Sequence, residues 1–164
     1  MSRELESATS CYPEKLNKIV QFFQGLSDEE RRENLINYAD SAKRYAPREG
    51  MVFDLEDVRK DEECTDTVGI FLKIDPVQQG AHFYVSLGPE VQTLTRAMTA
   101  ILCKGLDNEK PETVLDVPAD FVPKIVGAEL VRLRSQTSYY VLGRMKAICK
   151  AWLDRERMKQ QEKR

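Results

Sequence analysis

Val68-Gly69-Ile70-Phe71-Leu72-Lys73-Ile74 and Ala81-His82-Phe83-Tyr84-Val85-Ser86 are alternating runs joined by the turn Asp75-Pro76-Val77-Gln78-Gln79-Gly80. Successive side chains of a strand point to opposite faces, so Val68, Ile70, Leu72 and Ile74 share one face of the first run. Ala81, Phe83 and Val85 share one face of the second, and His82, Tyr84 and Ser86 take the other. Two such runs across a short turn predict an antiparallel hairpin. Upstream, Leu16, Ile19, Val20 and Phe23 recur at helical spacing from Pro13 to Gly25. Ser27-Asp28-Glu29-Glu30 is a capping box opening a second helix to about Lys43, with Leu35, Ile36 and Tyr38 on its buried face. Tyr45 to Thr67 holds Pro47, Gly50 and the mixed-charge segment from Asp54 to Glu63. No apolar period persists there, which predicts a long connection, with Met51-Val52-Phe53 as a short strand at most. Downstream, Val91, Leu94, Met98, Ile101 and Leu102 mark a helix ending at Gly105. Pro111 to Leu115 and Pro118 to Val126 read as short helices with proline near the first turn. Val141, Met145, Ile148 and Trp152 mark a last helix from Ser135 to Arg155. Clustered strands among helices predict an α+β fold, a small antiparallel β-sheet packed against helices. Residues 13–155 read as one domain, between a flexible end at 1–12 and a polar tail at 156–164 that frays.

The chain has 164 residues, of which 41% are hydrophobic and 32% charged, and a formal charge of −2. Such a chain can bury a core of its own. The near-zero balance argues against a general nucleic-acid binder, which needs basic excess to neutralise phosphates. The apolar runs fall far short of the roughly 20 residues that span a bilayer. Met1-Ser2-Arg3-Glu4-Leu5-Glu6 carries no apolar signal core, which fits a bacterial cytoplasmic protein.

Four cysteines, Cys11, Cys64, Cys103 and Cys149, are scattered with no C-x-x-C pair, and His82 is the lone histidine. Zinc ligation by Cys and His is therefore not expected, and no metal or cofactor is called for. With no secretory signal, reduced thiols are expected. Cys103 and Cys149 fall beside core positions and read as small buried hydrophobes. His82 reads as an ordinary surface residue or one in a second layer. Cys64 is different. It lies in the polar segment Asp61-Glu62-Glu63-Cys64-Thr65-Asp66-Thr67, just before a strand. Its acidic neighbours disfavour the reactive thiolate, so a cation such as Arg59, Lys60 or Arg134, or one from a partner, would have to offset them. No phosphate loop or nucleophile elbow is present, and no self-contained active site is visible.

The motif order resembles the SufE family of sulfur acceptors in iron–sulfur cluster assembly. Phe22-Phe23, Leu26-Ser27-Asp28-Glu29-Glu30-Arg31 and Leu35-Ile36-Asn37-Tyr38-Ala39 resemble its N-terminal helices. A loop cysteine directly before a strand follows, here Cys64. Leu94 to Leu102 with Gly105-Leu106, then Pro111 to Leu115, Pro118-Ala119-Asp120-Phe121 and Leu133-Arg134-Ser135-Gln136-Thr137 complete the order. The Asn37-Tyr38-Ala39 and Ala119-Asp120-Phe121 stretches are nearest to the cyanobacterial and plastid branch, which allows a stromal location after transit-peptide removal. The resemblance implies that Cys64 accepts persulfide sulfur from a pyridoxal-phosphate-dependent cysteine desulfurase and passes it to an iron–sulfur scaffold. It also implies that Arg134 offers a cation near the thiol. The protein would activate the desulfurase without independent turnover, as a monomer or weak dimer with no membrane span. The family's small, apolar turn before the cysteine is replaced by Asp61-Glu62-Glu63, and the serine two residues after it by Asp66. Its Asn-Gly after the arginine is Gln136-Thr137, and its helix glycine is Ala97. These departures imply an alternative: a non-catalytic SufE-like interaction or assembly subunit that has lost sulfur transfer.

Overall fold

A computed structural model describes residues 11–61 and 66–163. Helices α1 (Glu14–Gln24) and α2 (Asp28–Ser41) lead through a 3-10 turn, Ala42–Tyr45, to strands β1 (Leu55–Asp61), β2 (Asp66–Ile74) and β3 (Ala81–Leu87). Helices α3 (Thr93–Gly105), α4 (Pro111–Asp116), α5 (Phe121–Val126), α6 (Ala128–Leu133) and α7 (Ser135–Glu162) follow. The sheet is antiparallel in the order β1-β2-β3, so the fold is α+β.

The hairpin forms in the predicted register, with Ile74 opposite Ala81 and Val68 opposite Leu87. Val68, Ile70, Leu72, Ile74, Ala81, Phe83 and Val85 are all buried. They meet the apolar stripes of α3 and α7, where Met98, Ile101, Leu102, Val141, Met145 and Ile148 are buried too. Helices α1 and α3 approach closely at Gly105, where a Cβ would press to about 3 Å on Leu16. The capping box is present: the Glu30 amide donates to Ser27 Oγ and the Ser27 amide to Glu30 Oε1.

Several expectations are corrected. The charged stretch read as connection contains β1, paired with β2 from Leu55–Leu72 to Asp61–Asp66. An edge strand needs one partner only, and charge on it is the usual guard against unwanted pairing. Its half-buried positions are Leu55 and Asp57, one apolar and one charged, so no apolar alternation shows in the sequence. On α2 the buried residues are Leu35 and Ala39, whereas Ile36 is 47% exposed. Helix α6 interposes before α7 where no element was expected. Helix α7 continues past Arg155 to Glu162. Ion pairs one turn apart, Lys150–Asp154, Arg157–Asp154 and Lys159–Glu156, lie along its polar end. Tyr12, placed in the flexible end, packs edge-on against Phe121, and its hydroxyl donates to Asp120. Residues 1–10 lie outside the described residues.

Candidate functional site

Cys64 itself lies outside the described residues, but the strands on both sides of it are placed. Asp61 and Asp66 are register partners, the last pair of the β1–β2 ladder. Cys64 therefore belongs to the connection joining the edge strand to the central one.

The strand end beyond this connection is held by Asp66. Its carboxylate accepts the Thr67 amide at 2.7 Å and the Glu90 amide at 2.8 Å, tying β2 to the segment that follows β3. Those amides favour the ionised form, and Lys60 and Arg96 add positive potential, so the acid is held below the ordinary carboxylate range. Gly88 permits the arrangement, because a Cβ there would occupy the space of the Asp66 carboxylate. Its amide also donates to Thr67 O at 2.9 Å. Arg96, on α3, closes the turn by donating to Gly88 O at 2.8 Å and Val91 O at 3.1 Å. Sequence reading took Asp66 as a charge hostile to the thiolate. The structure adds a role in shaping the end of the strand that leads from Cys64.

The middle of β1 is clamped by Arg144, 3% exposed on α7. Its guanidinium donates to Asp57 Oδ2 at 3.1 Å, to Asp57 O at 2.7 Å, to Val68 O at 3.0 Å and to Tyr140 Oη at 2.6 Å. Both strands that flank the Cys64 connection are thus gripped by one side chain. A buried arginine with this many acceptors has its charge and hydrogen bonds satisfied. Sequence reading passed over it. Its one signal is a charge beside the stripe residues Val141 and Met145.

Arg134 immediately precedes α7 and is exposed, with no ion pair among the described residues. Two contacts set the direction of α7. Arg144 meets Asp57, and Arg155 donates to Asp54 O at 2.9 Å. The helix therefore runs antiparallel to β1, and its N-terminal end points toward the end of the sheet where β1 and β2 are joined. Of the other cations considered, Arg59 reaches Asp57 at 3.7 Å and Lys60 stands near Asp66.

The remaining thiols divide clearly. Cys103 and Cys149 are buried, and burial in apolar surroundings pushes both up, Cys149 to about 12. Such thiols stay protonated and unreactive at neutral pH. Cys11 is exposed ahead of α1. His82 is part-buried, with Nδ1 2.7 Å from Asp107 Oδ1. Among the described residues no group of His, Cys, Asp or Glu is placed to hold a metal ion, and no helix is long and apolar enough to cross a membrane.

Residues 17–149 match the family model SufE, described as an Fe-S metabolism associated domain. The chain is also similar to the solution structure of a hypothetical protein from Thermus thermophilus, with a TM-score of 0.65 and 26% identity, over 87% of this chain and 98% of that one. No curated protein matches the chain.

Proposed function

The chain belongs to the SufE family, associated with iron–sulfur metabolism, and from that premise we propose that it accepts persulfide sulfur on Cys64 from a cysteine desulfurase and delivers it to an iron–sulfur scaffold. One observation carries the reading. Cys103 and Cys149 are sealed in the core, whereas Cys64 belongs to a strand connection whose two flanks are anchored by Arg144 and Asp66. A rigid frame around a reactive group is what transfer between two proteins needs, because geometry then does not have to be found on docking.

In the step itself the Cys64 thiolate attacks the outer sulfur of the donor's persulfide. A new S–S bond forms on Cys64 as the donor's S–S bond breaks. The donor cysteine leaves as thiolate, and the proton released when Cys64 ionised returns to it. No net oxidation occurs. Arg134, at the end of α7 that points toward this connection, would offset the acidic neighbours of the thiol.

A second reading is favoured by Asp66, whose charge is fixed by two amides only two positions from Cys64. A neighbour that stays ionised at neutral pH suits an assembly or interaction subunit without sulfur transfer. Incubation with a cysteine desulfurase and free cysteine separates the two readings. Intact mass should rise by one sulfur atom in the wild type and not in Cys64→Ala. A wild-type mass that stays unchanged leaves the interaction subunit as the reading.

A further inference from the structure

Away from Cys64, the other end of the sheet borders an open groove built from α1, α2, the 3-10 turn and α3. It consists of adjoining cavities of about 610 Å³ and about 590 Å³. Arg44, Tyr45 and Lys104 line both, so they mark the junction. The charged side chains of the walls are mostly basic, although the chain as a whole is slightly acidic. Lys18, Arg44 and Lys104 line the first cavity with no acidic residue among its walls. In the second, Arg48 and Lys15 join Arg44 and Lys104, and Asp107 is the single acid, already bound to His82 and Lys15. Arg44, Arg48 and Lys104 make no ion pair among the described residues. Lys18 is paired with Glu14 and Lys15 with Asp107, but Arg44, Arg48 and Lys104 add positive potential with no counter-charge, an arrangement that an anion relieves.

The first cavity also has an aromatic and amide character. Phe22, 50% exposed, and Tyr38 both line it, and the Lys104 ammonium lies 5.8 Å from the Tyr38 ring centroid. The Asn37 amide makes no hydrogen bond among the described residues, and so offers a donor and an acceptor to an incoming group. A cavity of this size suits a small organic molecule. An apolar, planar lobe beside a cationic junction matches a ligand with a ring at one end and several negative charges at the other.

We propose that this groove binds a phosphorylated heteroaromatic small molecule of the nucleotide class. The phosphates lie at the Arg44–Lys104 junction with Arg48 beside them. The ring occupies the lobe of Phe22 and Tyr38, with Asn37 at its edge. The site is independent of the sulfur-transfer reading, since it lies at the sheet end where Lys73 pairs with His82 rather than where Val68 pairs with Leu87.

Titration with ADP, followed by amide shifts in two-dimensional NMR, tests the proposal. Saturable shifts at Phe22, Asn37, Arg44 and Lys104 are expected, and adenosine and pyrophosphate should each bind more weakly than ADP. Lys104→Gln and Arg44→Gln, exposed substitutions checked by circular dichroism, should each weaken ADP by about tenfold, the loss of one charge-assisted contact. Asn37→Ala should weaken ADP without affecting pyrophosphate. Absence of saturable shifts with ADP overturns the proposal. So does pyrophosphate binding as tightly as ADP, which reduces the groove to a bare anion site. Displacement of ADP by poly-glutamate at equal charge would make the groove a surface for acidic polypeptides, and overturns it as well.

Discussion

Arg144 on the last helix and Asp57 on the edge strand meet at 3.1 Å, and they join parts of the chain 87 positions apart. The carboxylate is partly open to solvent, the guanidinium almost wholly buried. Loss of the arginine takes one donor from each of Val68 O, Asp57 O and Tyr140 Oη and leaves the Asp57 carboxylate without its buried partner. Arg144→Met should therefore destabilise by about 2–4 kcal/mol, the range for removing one side of a buried charge pair. Asp57→Asn keeps an acceptor and should cost less, about 1 kcal/mol. Urea unfolding of both variants checks the order; an Asp57→Asn effect larger than that of Arg144→Met would contradict it.

Gly88→Ala forces a methyl group into the Asp66 carboxylate. Either the acid swings away and two amides lose their acceptor, or the turn shifts. Overpacking of this kind typically costs about 1–3 kcal/mol. A thermal melt measures it. In an Asp66→Ala background the same glycine change should cost clearly less.

Acid should weaken the protein through Asp66 and Glu30. Backbone amides hold Asp66, and the Ser27 amide and hydroxyl hold Glu30, so both carboxyls titrate below their ordinary values when folded. A depressed folded value means that the stabilisation is complete above the unfolded value and disappears as pH falls through the folded one. Asp66→Asn should melt lower than wild type at neutral pH, and the gap should close as pH drops below the ordinary value near 3.8. A gap that stays constant down to the acid limit would argue against the two amide contacts.

Alkylation should sort the thiols. Cys103 and Cys149 should remain unlabelled by iodoacetamide in the folded protein and react after unfolding, because burial both shields them and keeps them protonated. Mass-mapped peptides read this directly.

Charge around Cys64 should set its rate. Glu62→Gln with Glu63→Gln removes negative potential, favours the thiolate and should speed alkylation of Cys64 by roughly two- to fivefold, the range for screened exposed charges. Arg134→Gln should act in the opposite direction. If both changes leave the rate at its wild-type value, the local charges do not govern the thiol.

How legible the fold was depended on range. Helix α1 and the β2–β3 hairpin announce themselves through periods of 3.6 and 2, and the capping box at Ser27 is a four-residue signal. Strand β1 carries Glu56, Arg59 and Lys60, and its half-buried Asp57 looks merely polar until Arg144 is seen beside it. That partner lies too far along the chain for any local pattern to reveal. Helix α7 outruns its apolar stripe because its last turns are lined with ion pairs rather than core contacts. At the candidate site, the resemblance and the local sequence put Cys64 in a loop directly before a strand; that a strand also ends just ahead of it, at Asp61, was not readable. Nor was the use of Asp66, since its partners are backbone amides and any residue could supply those.

Helix α7 has one practical consequence. Its 28 residues make a rod about 42 Å long, whose start points toward the Cys64 connection and whose last turns stand at the far end of the sheet. A fluorophore on Arg157 would thus sit well clear of a partner docked at the end of the sheet where β1 and β2 are joined. It would report the tumbling of the complex without touching the interface, and so turn the helix into a gauge of assembly.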